Sequence, residues 1–255
     1  MAAAAAPMGS PCWVDLVSTD IPRARAFYEE VFGWTPGEAS PEFGGYFMFE
    51  KGDAPVAGAA PRMQGDEGPS RWQVYLRSSD LSATTARVGP AAGEVVVPPM
   101  AVADLGSMAM VRDATGAYVG VWEPGAFSGF APGVNEPGSP IWFELHASDF
   151  ASAVSFYESV FDWHTQSIGD SDEFRYCVAL DGANQFAGVF DASAYLSGDV
   201  GPHWEIYFAV SDVDESVEAI ESLGGTLLMA AQDSPYGRLA TVADPTGAVF
   251  RVMTR

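Results

Sequence analysis

The chain offers three imidazoles for proton transfer or metal binding, His146, His164 and His203, all in its C-terminal half. Two of them have informative neighbours. Trp142, Glu144 and His146 alternate along one stretch, and His203, Glu205 and Tyr207 along another. In an extended strand each trio would share a face. Two carboxylates and two imidazoles gathered in this way could hold a divalent cation, or exchange protons near neutral pH. His164 follows Trp163 and is expected at the surface. The thiols, Cys12 and Cys177, are too few for a disulfide scaffold or a thiolate zinc site. Phosphate-loop chemistry has no support, because Gly44-Gly45 and Gly224-Gly225 lack the required spacing and lysine. No Gly-x-Ser-x-Gly elbow is present for a serine nucleophile.

The elements that must position these groups occur twice. Gly9-Ser-Pro-Cys-Trp-Val-Asp-Leu-Val-Ser-Thr-Asp20 returns as Gly138-Ser-Pro-Ile-Trp-Phe-Glu-Leu-His-Ala-Ser-Asp149, an offset of 129 residues. Ala26-Phe-Tyr-Glu-Glu-Val-Phe-Gly-Trp34 returns as Ser155-Phe-Tyr-Glu-Ser-Val-Phe-Asp-Trp163 at the same offset. Arg71-Trp-Gln-Val-Tyr-Leu matches His203-Trp-Glu-Ile-Tyr-Phe, and Asp113-Ala-Thr-Gly-Ala matches Asp244-Pro-Thr-Gly-Ala. The chain therefore reads as a tandem duplication, with domains over 10–126 and 138–255 and a Gly/Pro-rich linker over 127–137.

Within each copy, Trp13–Thr19 and Trp142–Ser148 alternate as strands do. Asp20 and Asp149 then stand as N-caps, ready to accept from unpaired backbone N–H groups. The helices that follow are expected to bury Ala24, Phe27, Tyr28 and Val31 in one copy and Val154, Phe156, Tyr157 and Val160 in the other. A second strand–Asp–helix unit begins with Gln73–Arg77 before Asp80, and with Glu205–Val210 before Asp212. The pattern is strand–helix–three strands, four times over.

In these features the chain resembles the vicinal-oxygen-chelate superfamily, which includes glyoxalase I, extradiol dioxygenases and bleomycin-resistance proteins. The carrying motifs are the strand–Asp–helix starts with Ala-Phe-Tyr and Ser-Phe-Tyr, and the closing Asp-Ala-Thr-Gly and Asp-Pro-Thr-Gly turns. More closely it is similar to actinobacterial two-domain glyoxalase-like proteins, some of which accompany anthracycline pathways. The resemblance implies an α+β fold of tandem domains, each built from two βαβββ modules forming a cupped sheet around a ligand.

Active members of that superfamily hold a divalent metal through His and Glu. Carried over, the ligand positions fall on Trp13, Gln73 and Gly120 in the first copy and on Trp142, Glu205 and Arg251 in the second. Indole and guanidinium do not ligate, and one carboxylate alone binds weakly. No metal and no cofactor are therefore expected. His146 stands four residues from the ligand position, roughly 13 Å along a strand at ~3.3 Å per residue. It reads as a strand residue or as part of a displaced metal set. A local two-fold between the first strands of a domain would put Asp15 near Arg71, Glu144 near His203, and Glu205 within reach of Arg251. The Glu205–Arg251 pair is expected to replace the metal by bidentate hydrogen bonding. Glu144–His203 reads as an acid/base pair or as a strand-tying hydrogen bond, with Tyr207 a further proton-transfer candidate.

The remaining inherited positions, Trp13, Asp15, Gln73, Tyr75 and Trp122 in one copy and Trp142, Glu144 and Glu205 in the other, mix aromatic walls with polar anchors. That combination suits a planar organic ligand, and it suits plain core filling equally. Charge narrows the partners. With 12 Lys+Arg against 34 Asp+Glu in 255 residues, the net charge of −22 disfavours nucleic acid and anionic lipid. No apolar run reaches the ~20 residues that span a bilayer, and the alanine-rich start lacks a basic n-region. The expectation is a cytoplasmic monomer or homodimer that sequesters or carries a small aromatic or hydrophobic metabolite. The alternatives are a natural-product hydroxylase, cyclase or isomerase and, behind it, a metal-dependent lyase or dioxygenase.

Overall fold

The computed structural model describes residues 6–130, 136–171, 173–196 and 200–254. The four expected modules are present. The first runs β1 (Pro11–Ser18), α1 (Ile21–Phe32), β2 (Thr35–Pro36), β3 (Phe47–Lys51) and β4 (Ala54–Pro61). The second runs β5 (Arg71–Arg77), α2 (Leu81–Val88), β6 (Glu94–Val102), β7 (Gly106–Arg112) and β8 (Tyr118–Pro124). The third has β9 (Pro140–Ala147), α3 (Phe150–Phe161), β10 (His164–Asp170), β11 (Arg175–Asp181) and β12 (Asn184–Asp191). The fourth has β13 (His203–Ala209), α4 (Val213–Ser222), β14 (Thr226–Ser234), β15 (Gly237–Ala243) and β16 (Val249–Met253). Two eight-stranded sheets result, in the orders β2-β3-β4-β1-β5-β8-β7-β6 and β10-β11-β12-β9-β13-β16-β15-β14. No helix among the described residues is long and apolar enough to cross a membrane.

The four α-helices start on the same device. The carboxylates of Asp20, Asp80, Asp149 and Asp212 each accept the backbone N–H three residues on, at 2.8–3.1 Å. The buried faces differ slightly from the periodic reading. In α1 the last buried residue is Phe32 rather than Val31, and in α3 Ala153 is buried while Val154 is partly exposed. In both cases the interior takes the residue one step from the periodic choice.

By contacts the chain divides into two compact units that cut across the sequence repeat. One comprises Met1–Cys12, Val74–Pro132 and Trp142–Trp204; the other comprises Trp13–Gln73, Gly133–Ile141 and Glu205–Arg255. In the first, α2 packs on α3, and in the second α1 packs on α4. Each unit thus joins a module of one repeat to a module of the other. Of the expected linker, 131–135 lie outside the described residues. Phe127 and Phe130 are docked, their N–H groups donating to Leu105 O and Cys12 O.

The same polar chain closes each unit. In the first unit the Trp204 indole donates to the Tyr157 oxygen at 3.0 Å, and the Tyr157 hydroxyl donates to Asp113 Oδ2 at 3.0 Å. Asp113 Oδ1 accepts from Thr115 N, Thr115 Oγ1, Gly116 N and Ala117 N. The second unit repeats it, with Trp72 donating to Tyr28 and Tyr28 to Asp244 Oδ2, while Asp244 Oδ1 holds its own turn. Both carboxylates are buried. Burial first, and then the facing Asp charge, raises both phenols well above the ordinary tyrosine range, so each stays a donor.

A second tie runs beside it. The Trp34 indole donates to Gly138 O and the Trp163 indole to Gly9 O, both at 2.8 Å. Gly9 has φ 72°, and a Cβ there would lie 2.6 Å from Phe161 O and 3.0 Å from the Trp163 indole. The glycine of the repeated Gly-Ser-Pro is therefore required by the indole beneath it.

Replacing either buried phenol removes a donor from a buried carboxylate and an acceptor from an indole. Tyr28→Phe and Tyr157→Phe are each expected to lower unfolding free energy by about 1–3 kcal/mol in urea titrations.

Candidate functional site

Strand β9 carries Trp142, Glu144 and His146 on one face, and the paired strands bring their partners. The parallel register sets Gly188 opposite Glu144 and Phe190 opposite His146, and β11 sets Tyr176 opposite Phe190. The Tyr176 ring lies across Gly188, where a Cβ would stand 1.9 Å from the phenol oxygen. Through that gap the Tyr176 hydroxyl donates to Glu144 Oε2 at 2.8 Å. The Trp142 indole donates to the same phenol oxygen at 3.1 Å. Burial and the Glu144 charge raise the phenol far above its ordinary range, which keeps it a donor to the carboxylate.

The other carboxylate oxygen, Glu144 Oε1, lies 2.9 Å from His146 Nε2. An ionised carboxylate only accepts, so Nε2 carries the proton. The rings of His146 and His203 are 5.1 Å apart between centroids and tilted by 37°. His203 Nδ1 lies 2.8 Å from Gly201 O, and a carbonyl likewise demands an N–H. The first unit thus assembles a carboxylate–imidazole pair, a second imidazole of defined tautomer, a phenol and an indole. This set offers hydrogen-bond donors and acceptors side by side.

The 13 Å separation from Trp142 that set His146 apart runs along one strand. The neighbour that counts, His203, arrives from β13. Tyr176, Phe190 and Gly188 were missed by the motif reading. A signal existed, since Tyr176 and Gly188 have counterparts Tyr46 and Gly58 at one common offset of 130.

The second unit holds the counterpart arrangement. Trp13 donates to Asp15 Oδ1 at 2.8 Å and to the Tyr46 oxygen at 3.0 Å, and Tyr46 donates to Asp15 Oδ1 at 2.9 Å. A Cβ on Gly58 would again collide with the phenol oxygen, at 2.0 Å. No imidazole takes part, because Val17 stands where the second copy has His146. Arg71 pairs with Asp66 at 2.6 Å rather than with Asp15. It lies at the mouth of the loop that carries Asp66, and is half-exposed there.

The other expected residues have these settings. Arg251 Nε forms an ion pair with Glu205 Oε2, and Arg251 Nη1 donates to Tyr207 OH at 2.6 Å. Its guanidinium lies 5.0 Å from the Tyr207 ring centroid. In the first copy the same strand pair sets Tyr75 opposite Gly120, and the Tyr75 ring covers the space a side chain would need. Gln73 and Trp122 are buried, and the Trp122 indole donates to Phe127 O at 3.0 Å. His164 is exposed. A groove of about 710 Å³ lies away from all of these, between α3 and β10–β12. Alternation along β11 sends Arg175 and Cys177 to that groove and Tyr176 to the opposite side.

With this geometry in view, the comparisons with known proteins are direct. A glyoxalase-like domain matches residues 142–253, and the glyoxalase/bleomycin resistance protein/dioxygenase superfamily matches 12–121. The putative glyoxylase CFP32 of Mycobacterium tuberculosis is 35% identical over 250 residues, covering 96% of this chain and 94% of the relative. The chain belongs to the glyoxalase/bleomycin resistance protein/dioxygenase superfamily. The anthracycline biosynthesis protein DnrV of Streptomyces peucetius is also 35% identical, covering 96% and 93% of the two chains. Among solved structures, the Mn(II)-bound glyoxalase of Novosphingobium aromaticivorans superposes with a TM-score of 0.66 at 18% identity, over 97% of this chain and 82% of that one. The catechol dioxygenase BphC gives 0.66 at 14% identity, over 97% and 87%.

Does this superfamily member's residue set fit a metal? At the inherited positions it does not. Trp142 presents an indole N–H already given to Tyr176, Arg251 is itself a cation, and Glu205 is paired with it. His146 and Glu205 each have a protein partner within their own unit, Glu144 on His146 and Arg251 on Glu205.

Two outcomes follow from these settings. Arg251→Met leaves the buried Glu205 charge behind and is expected to destabilise by about 3–5 kcal/mol, with most of that loss recovered in Glu205→Leu/Arg251→Met, as read by urea unfolding. Burial pushes the Cys12 and Cys177 thiols up to about 12, with the Glu158 charge adding to the effect at Cys177. A raised thiol pKa means scarce thiolate, so both should resist Ellman's reagent in the folded protein at about pH 8 and react once it is unfolded.

Proposed function

We propose that this protein binds a small aromatic or hydrophobic metabolite without a metal, and that the binding determinants lie in the second repeat. The observation that carries this reading is the carboxylate–imidazole pair Glu144–His146, set beside His203 and held from behind by Tyr176 and Trp142. The buried carboxylate–imidazole hydrogen bond offers polar contacts, and its surroundings supply apolar ring surface for a guest. The names of the Streptomyces relatives, anthracycline biosynthesis proteins, support an aromatic natural product as the guest. A net charge of −22 favours neutral or cationic ligands over polyanions. The role is that of a carrier or sequestering protein, and two cysteines in 255 residues fit a reducing compartment.

A second reading is an enzyme of a biosynthetic pathway. It draws on the two imidazoles at 5.1 Å, one proton-bearing toward Glu144 and one oriented by Gly201 O, which suit paired acid and base roles in a hydroxylation, cyclisation or isomerisation. Tyr207, bonded to Arg251, is a further proton-transfer candidate.

Elemental analysis of freshly purified protein together with tryptophan-fluorescence titration against aromatic metabolites tests both readings. Binding in the presence of chelator, weakened about tenfold by Glu144→Gln or His146→Ala, is the expected result. Stoichiometric transition metal whose removal abolishes binding would overturn the metal-independent reading. Turnover lost in Glu144→Gln while binding persists would favour the enzyme.

A further inference from the structure

Four aromatic rings of the second repeat form a row leading outward from the imidazoles. Phe190 meets the His146 ring edge-on at 5.4 Å. Tyr195 stacks on Phe190 at 5.7 Å, with planes 28° apart. Phe174 stacks on Tyr176 at 5.8 Å and 10°, and stands 6.3 Å from Phe190. The inner members touch the buried Glu144–His146 pair, while Phe174 and Tyr195 are 47% and 68% exposed. Phe174 is held in place rather than dangling, since its ring lies over Gly169, where a Cβ would approach it to 2.5 Å.

Core packing does not account for two large exposed rings that both pack on Phe190, and exposed apolar surface of this kind marks binding sites. The two copies sharpen the point. Where the second has Phe174, Phe190 and His146, the first has Gly44, Ala60 and Val17, although both retain the indole–phenol–carboxylate group. Rings and imidazoles therefore occur together or not at all, as a shared ligand would require.

We propose that Phe174, Phe190 and Tyr195 form a stacking platform that selects planar, fused-ring ligands with a polar edge, the edge directed toward His146. The platform rests on the binding function proposed above and names its specificity element. Offset stacking rewards flat π-surface, so affinity should grow with the number of fused rings and not with bulk alone.

The test titrates the intact protein with phenol, 2-naphthol, 9-phenanthrol and the saturated 2-decalol, following tryptophan fluorescence and calorimetry. The expected order is 9-phenanthrol above 2-naphthol above phenol, with 2-decalol weaker than 2-naphthol. Phe174→Ala/Tyr195→Ala should weaken 9-phenanthrol about tenfold and leave phenol within about twofold. Both rings are exposed, so the unfolding midpoint of this variant should match the parent; Phe190→Leu is the second probe, with Tyr195→Phe expected to retain affinity. Equal binding of 9-phenanthrol by parent and double variant, or of 2-decalol and 2-naphthol by the parent, would overturn the platform while leaving the binding function intact. Failure of the parent to bind any of the four would overturn both.

Discussion

A buried carboxylate that nothing neutralises must be surrounded by donors, and this chain meets that requirement twice with one solution. Indole donates to phenol, phenol donates to aspartate, and the other aspartate oxygen collects the amides of its own turn. In each unit the aspartate and the phenol come from different repeats. The polar chain therefore does more than satisfy a charge, because it specifies which module meets which. Hydrophobic contact between α2 and α3, or between α1 and α4, is tolerant of sliding, whereas a three-member hydrogen-bond chain in a dry interior is not. The indole ties to Gly9 and Gly138 fix the same junctions from the other end.

On that frame the two copies have diverged around the indole–phenol–carboxylate group. Each keeps an indole, a phenol and a carboxylate, crossing a strand at a glycine that leaves room for the phenol oxygen. Asp15 in the first copy is a methylene shorter than Glu144, and it accepts from Trp13 and Tyr46. Glu144 reaches further and takes an imidazole as well. The carboxylate that accepts from an indole and a phenol in one half bonds a phenol and an imidazole in the other. At the ancestral chelating positions the second copy has Arg251 on Glu205, and the first has the Tyr75 ring covering Gly120. A guanidinium supplies positive charge with fixed direction and no exchangeable coordination sphere, so it stabilises the carboxylate without activating a bound oxygen.

Much of this was legible in residue order. The helix starts were readable because an Asp cap is a local device, complete within four residues. Glu205 was expected within reach of Arg251 because the resemblance set both at ligand positions, and the parallel pairing of β13 with β16 brings the two together. The edge strands β6 and β14 were harder to read. Their residues are mostly exposed, β6 contains Pro98 and Pro99, and both carry register shifts that break the alternation.

The sequence by itself determined the duplication, the four strand–helix modules, the capping aspartates and the indole and guanidinium side chains at inherited positions. Each of these depends on neighbours along the chain or on a constant offset between copies. Tertiary structure alone decided that Glu144 and His146 bond to each other, that His203 stands against His146, and that Phe174, Tyr176, Phe190 and Tyr195 form one row. It also decided that Tyr157 meets Asp113 and Tyr28 meets Asp244. The physical reason is common to all of these. They are contacts whose geometry is set by strand twist, by which glycine leaves a gap and by which rotamer fills it, and linear order records none of those.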